Sequence, residues 1–137
     1  MPLVKLINFQ TISDPSGILT VYEKDKGISF TIQRVYCLSK LDVRASRGYH
    51  AHRNLKQVAV CVSGSCRFVL DDGRSREEIV LDSPSVGLYI ENLIWREMHD
   101  FSDDCVLMVM ASEPYTELDY LRTYEEFLDE ISRTSEA

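Results

Sequence analysis

Long apolar runs, paired cysteines and a surplus of basic residues are all missing from this 137-residue chain. No window approaches the ~18 consecutive apolar residues of a membrane-spanning helix, so no membrane association is expected. The start, MPLVKLINFQ, lacks a charged segment followed by a long apolar one, which argues against a secretory leader and for a cytoplasmic protein. The four cysteines, Cys37, Cys61, Cys66 and Cys105, form no CxxC pair and lie in apolar, strand-like runs. They read as reduced thiols acting as small core residues. Lys and Arg total 15 against 22 Asp and Glu, a formal net charge of −7, which excludes the broad basic surface that nucleic acid or an anionic bilayer requires. An anionic substrate would have to be held by local arginines.

What is present suffices for one domain spanning residues 1–137, because 45% hydrophobic content at this length buries a core without disulfide support. Seven runs, GILTVYE, ISFTIQRVYCL, QVAVCVS, CRFVLDD, EEIVLDS, VGLYIE and CVLMVMAS, are rich in Val, Ile, Leu, Tyr and Phe and are separated by Gly, Pro, Asp and Ser. That pattern predicts an all-β sandwich or barrel. SGS at 63–65 and DDG at 71–73 predict successive hairpins. Period-two alternation in ISFTIQRVYCL puts Phe30, Ile32, Arg34, Tyr36 and Leu38 on one face, apolar at its start and polar at its end. Near the C-terminus the period changes. Tyr120, Tyr124, Phe127, Leu128 and Ile131 predict an α-helix with one buried stripe, and Thr116 with Asp119 resembles a capping box at its start.

The chemistry concentrates in RGYHAH, residues 47–52. Histidines at i and i+2 of an extended segment point to the same side. Gly48 permits a close backbone approach or an unusual dihedral, and Arg47 offers a planar fork of donors suited to phosphate oxygens. From His50 the sequence HAHRNLKQVAVCVSG resembles the first cupin motif, with Gln57 at the position of its glutamate. LYIENLIWREMHDF corresponds to the second motif, whose histidine position holds Arg96. Metal-binding cupins offer three histidines and a carboxylate; an amide and a permanent cation in two of those places disfavour a divalent ion. No metal or other cofactor is expected, and a metal-dependent cupin dioxygenase is disfavoured on the same ground.

Over nearly its whole length the chain is similar to the nucleotide-sugar 3,4-ketoisomerases, small cupins acting on dTDP-4-keto-6-deoxyglucose. The resemblance rests on QRVYCL, RGYHAH, VSGSCRFVLDDG, LDSPSVGLYIENLIW, EMHDFSDDCVLMVMAS and YTELDYLR in this order and spacing. It implies a double-stranded antiparallel β-barrel of the cupin or jelly-roll type with a C-terminal helix, a homodimer with exchange of N-terminal strands as one form, and a dTDP-linked 4-keto-6-deoxy sugar as partner. It also implies a place in the biosynthesis of unusual deoxy or amino sugars, such as those of O-antigen or S-layer glycans. RGxH additionally resembles the dTDP-sugar 3,5-epimerases.

The residues suit such a reaction. Moving a ketone from C4 to C3 requires a base for the C3 hydrogen, a proton carrier to C4, and donors for the enediolate. His50, at the RGxH position, is assigned as base, and His52 as shuttle or orienting partner, both taken to titrate near neutrality. Tyr36 is a third catalytic candidate. Arg47 is assigned to the diphosphate, and Arg34 and Arg96 to substrate binding. His99, opposite in parity to Arg96, is left out, and Trp95 is assigned to core or interface packing. The alternatives are a 3,5-epimerase-like cupin and a non-catalytic sugar-nucleotide-binding cupin.

Overall fold

Short β-branched and aromatic runs set the architecture, which a computed structural model describes for residues 2–135. The strands are β1 (Lys5–Asn8), β2 (Thr11–Asp14), β3 (Gly17–Thr20), β4 (Glu23–Lys24), β5 (Gly27–Ile28), β6 (Arg34–Leu38) and β7 (Arg47–His52). They continue as β8 (Gln57–Ser63), β9 (Cys66–Asp71), β10 (Arg76–Leu81), β11 (Val86–Ile90), β12 (Trp95–His99), β13 (Val106–Ala111) and β14 (Tyr120–Leu121). A 3₁₀ turn, Glu117–Asp119, precedes β14, and one helix, α1 (Tyr124–Ser135), follows it. Met1, Glu136 and Ala137, the ends of the expected 1–137 unit, lie outside the described residues.

Two five-stranded antiparallel sheets face each other in the order β1-β11-β8-β13-β6 and β10-β9-β12-β7-β14, the jelly-roll arrangement of a cupin. Three apolar layers hold them. Between the sheets lie Ala59, Phe68, Leu70, Leu88, Leu107 and Val109. Outside the first sheet, Phe9 and Ile28 of the N-terminal segment cover Val58, Val60 and Met110. Outside the second, Phe127 of α1 covers Ala51, Trp95 and Leu121, which places Trp95 in the core. Strands such as QVAVCVS are buried on both faces for this reason, and so read as continuous apolar runs.

Several local expectations are corrected. SGS is not a hairpin: β8 and β9 belong to different sheets, and Gly64, at φ 68°, turns the chain across the sandwich. DDG does make a hairpin, β9 pairing antiparallel with β10. The strand within ISFTIQRVYCL covers only Arg34–Leu38, while Phe30 and Ile32 pack, partly buried, on the outer apolar layer with Val58 and Met110.

The helix begins later than its periodicity suggested. Tyr120 pairs with His52 in β14, and the N-cap is Thr123, with Glu126 N donating to Thr123 Oγ1 at 3.1 Å and Thr123 Oγ1 donating to Glu126 Oε1 at 3.2 Å. Thr116 makes no side-chain cap on the 3₁₀ turn. Tyr124, Phe127 and Ile131 form the packed stripe, and Leu128 remains 38% exposed at its margin. Among the cysteines, Cys61, Cys66 and Cys105 are buried and free as expected, whereas Cys37 is exposed, because period two turns it outward between Tyr36 and Leu38.

Candidate active site

The site is built on β7, and one irregularity in that strand explains its composition. Along β12 the residues Arg96, Glu97 and Met98 are consecutive, yet they pair with His50, Gly48 and Arg47, so Tyr49 is an extra residue forming a β-bulge. Gly48 adopts φ 90° and Tyr49 φ 55°. A Cβ at position 48 would stand 2.9 Å from the Arg96 carbonyl oxygen, so the glycine supplies both the dihedral and the close approach. Three residues apart, Arg47 and His50 would face opposite ways on a regular strand. The bulge brings both to one cleft of about 470 Å³, also lined by Arg34, Tyr36, Tyr120 and Arg122.

The two imidazoles lie close, their ring centroids 5.0 Å apart and their planes nearly perpendicular. His50 Nδ1 donates to the Gly48 carbonyl at 3.0 Å, which leaves Nε2 as its basic atom. His52, 1% exposed, bonds through Nδ1 to Asp119 Oδ2 at 3.1 Å, and its buried Nε2 has no partner. The Tyr120 ring packs over both, at 4.4 Å from His52 and 5.2 Å from His50. Burial and then the Arg96 charge lower the His50 pKa to about 4 and that of His52 to about 2. Both rings are therefore neutral at pH 7, not poised near it as the sequence suggested.

Arg96 and Gln57, the two departures from a metal-binding cupin, are bonded to each other. Arg96 Nη1 donates to Gln57 Oε1, and Gln57 Nε2 donates to the Tyr36 hydroxyl oxygen at 3.0 Å. The guanidinium is 2% exposed, and its other hydrogen bonds go to the Ile94 carbonyl at 3.1 and 3.4 Å. Burial lowers its pKa only to about 10, so a full positive charge stands beneath the histidines with neutral acceptors around it. A divalent cation does not fit this donor set, since it would face that charge with two imidazoles and no carboxylate. The arrangement instead suits an anion that develops during reaction.

Burial first raises the Tyr36 pKa, so its hydroxyl stays protonated and free to donate. The Arg34 guanidinium lies 5.3 Å from the Tyr36 ring centroid, and its Nε and Nη2 are buried without partners. Arg47 is exposed at the rim. The cleft thus gathers His50, Tyr36, Arg34 and Arg47, with His52 behind His50 and Arg96 on the floor of an adjoining narrow crevice. His99 stands apart, its Nδ1 2.7 Å from Ser46 Oγ and its Nε2 3.1 Å from Glu97 Oε1.

Sequence reasoning missed Asp119, Tyr120 and Arg122. Asp119 accepts the backbone N–H groups of Asn54 at 2.8 Å and Leu55 at 3.3 Å besides its bond to His52, so it fixes that ring against the loop after β7. The Arg122 guanidinium carbon lies 3.8 Å from the Tyr120 ring centroid, and Glu117 holds its Nη2 at 2.7 Å. The signal available was the helical spacing of Tyr120, which pointed to the wrong element.

Comparison with known proteins agrees with this geometry. Residues 3–132 match the family described as FdtA, WxcM-like, C-terminal. The TDP-4-oxo-6-deoxy-alpha-D-glucose-3,4-oxoisomerase of Aneurinibacillus thermoaerophilus is 51% identical over 129 residues, covering 94% of this chain and 93% of that protein. A variant of the 3,4-ketoisomerase QdtA from Thermoanaerobacterium thermosaccharolyticum, solved in complex with TDP-4-keto-6-deoxyglucose, superposes with a TM-score of 0.92 at 45% identity, covering 97% of this chain and 96% of that one. The TDP-quinovose 3,4-ketoisomerase WlaRB from Campylobacter jejuni gives 0.89 at 43% identity, over 94% and 99%. With the match running through β7, the Arg96 crevice and the Asp119 turn alike, the chain belongs to the FdtA, WxcM-like family of sugar-nucleotide 3,4-ketoisomerases.

Proposed function

We propose that this chain converts a dTDP-4-keto-6-deoxyhexose to the corresponding 3-keto sugar. The observation that carries the reading is a pair of neutral imidazoles with unencumbered Nε2 atoms beside a buried guanidinium that has no carboxylate partner. His50 Nε2 takes the C3 proton, and the electron pair moves through C3–C4 to the C4 oxygen, giving an enediolate. Arg96 and the Tyr36 hydroxyl stabilise that charge. A proton passes from the C3 oxygen to the C4 oxygen, C4 is protonated by way of His52, and the ketone stands at C3. Electrons are redistributed within the sugar, so no external oxidant or reductant is consumed. Arg47 meets the diphosphate, and the unpartnered nitrogens of Arg34 meet substrate oxygens.

A pKa of about 4 makes His50 a weak base, which places the burden on lowering the acidity barrier at C3. A charge held in low dielectric does this effectively, because no water must reorganise as the enediolate forms. The working form is a homodimer in the cytoplasm, serving deoxysugar assembly for surface glycans. Exposed Ile12, Ile18 and Leu19 on the β2–β3 hairpin support the dimer, since isolated hairpins rarely leave such side chains in water. Among the described residues no helix is long and apolar enough to cross a membrane.

Incubation of the purified protein with a dTDP-4-keto-6-deoxy sugar in deuterium oxide tests the activity. Label at C4 with the ketone moved to C3 is expected. Label with the ketone left at C4 would identify an epimerase, and the absence of label a binding module. Exhaustive chelation is expected to leave turnover unchanged.

A further inference from the structure

Three thiols that the proposed reaction does not use meet about 13 Å along β8 from Gln57, at the rise of an extended strand. Cys61 ends the inward row Gln57, Ala59, Cys61, while Cys66 opens β9 and Cys105 leads into β13. Cys61 Sγ lies 3.5 Å from Cys66 Sγ and 4.0 Å from Cys105 Sγ, and all three sulfurs fall within 4.8 Å of one another. Each is buried, and Phe68, Leu81, Phe101 and Leu107 belong to the same apolar cluster. Among the described residues this is the one group of three or more His, Cys, Asp or Glu side chains with such spacing.

Sulfurs bonded at about 2.3 Å to a common atom stand about 3.3 to 4.0 Å apart as the angle between them opens from a right angle to a trigonal one. Two of the separations already meet that requirement. Charge decides which atom fits. The three thiols lie in an apolar cluster, and among the described residues no His, Asp or Glu side chain joins them at such spacing, so no fourth ligand of that kind is at hand. Three thiolates around copper(I) or zinc(II) would leave two or one net negative charges in an apolar core, at a cost of several kcal/mol. Around a trivalent centre they leave none.

We propose that Cys61, Cys66 and Cys105 form a binding site for arsenic(III), taken up as neutral arsenous acid. The three S–H bonds and three As–OH bonds are exchanged for three As–S bonds and three waters, with no change of oxidation state. Entry lies beneath two short turns, 63–65 and 102–105, joined by Ser102 N donating to the Ser65 carbonyl at 3.0 Å and Ser65 N donating to Ser102 Oγ at 2.9 Å. Opening those bonds exposes the sulfurs without disturbing the sheets, so uptake is limited by a local opening rate and saturates with arsenite concentration.

The test incubates reduced full-length protein with sodium arsenite under native conditions, removes free arsenite, and reads intact mass and arsenic K-edge absorption. One arsenic per chain, with three protons lost and three sulfur neighbours, is expected. Cys37→Ala should retain it, and both Cys66→Ala and Cys105→Ala should retain at least tenfold less; the second variant decides the matter if the first fails to fold. No retained arsenic, a two-sulfur shell, or loss on Cys37→Ala overturns the proposal. Preferential uptake of zinc(II) or copper(I) from an equimolar mixture overturns the charge argument on which it rests.

Discussion

The space between the two sheets has two ends of opposite character. At one, Arg34, Tyr36, His50, His52, Gln57 and Arg96 gather around the cleft, and Arg34 and His52 keep buried nitrogens without partners. At the other, Leu81, Phe101, Leu107 and the three thiols pack with no ionised group among them. An unsatisfied buried polar group costs about 1–3 kcal/mol, so the first end is held in place at the expense of stability that the second end supplies. Polar burial of this kind marks chemistry more reliably than the depth of a pocket.

The comparison breaks most sharply at His50. His50→Asn is expected to abolish both C3 deuterium exchange and isomerisation, by about 10²–10⁴-fold, with thermal stability near that of the parent. His52→Asn should lower isomerisation by about tenfold to a hundredfold while leaving C3 exchange measurable, because the enediolate can form and collapse back. Exchange that persists in the first variant and vanishes in the second would exchange the two roles.

Leu81→Ala probes the other end. Removing a wholly buried side chain opposite Cys66 should cost about 2–5 kcal/mol by denaturant unfolding, with kcat per folded molecule little altered. Arg47→Ala should raise KM by about tenfold to a hundredfold, since a charge-assisted hydrogen bond to the diphosphate is lost from an exposed side chain, with kcat and stability retained. Arg34→Leu should move stability the opposite way from Leu81→Ala, gaining about 1 kcal/mol as orphaned donors are replaced by an apolar side chain, while substrate affinity falls. A loss of stability in that variant would show that the Arg34 donors are satisfied without substrate.

The smallest effect is in pH. The His50 pKa is lowered from 6.5 to about 4 in the folded chain, so the unfolded chain takes up the proton first as pH falls. Stability from this residue is fully present above pH 6.5, declines on acidification below it, and is exhausted near pH 4. The kcat/KM profile of the free enzyme should stay level from pH 8 to about 5 and fall through about 4, a limb that an ordinary histidine would place near 6.5. A midpoint close to 6.5 by titration of the His50 ring would remove the case for burial and Arg96 as its causes.

How far the sequence could be read follows the same division. The jelly roll was legible because runs such as QVAVCVS and CVLMVMAS have few other uses, and RGYHAH stood out because glycine beside two spaced histidines has a geometric meaning. Gln57 and Arg96 were identified as departures from a ligand pattern, although their contact with each other was not foreseen. Asp119, Tyr120 and Arg122 escaped for a physical reason. Asp119 ends a 3₁₀ turn, Tyr120 opens a two-residue strand and Arg122 lies in the link after it, stretches too short to impose a period, and Tyr120 lies four residues before Tyr124, where helical spacing captures it by accident. The bond from His52 to Asp119 spans 67 positions, and nothing local in either neighbourhood announces it.

The bulge at Tyr49 gives β7 something like a reading frame. Arg47 and the two imidazoles are out of phase along the chain and in phase in space, and one uncommitted residue is the whole difference between the two counts. Substitution at position 49 can vary the side chain and keep the frame. Pairing every residue cannot: with His50 kept opposite Arg96, Tyr49 would take the place opposite Glu97 and Gly48 that opposite Met98, and Arg47 would turn to the far side of the sheet. The diphosphate arm and the proton-transfer arm would then be separated without the loss of either side chain, so at this strand the count of residues matters as much as their identity.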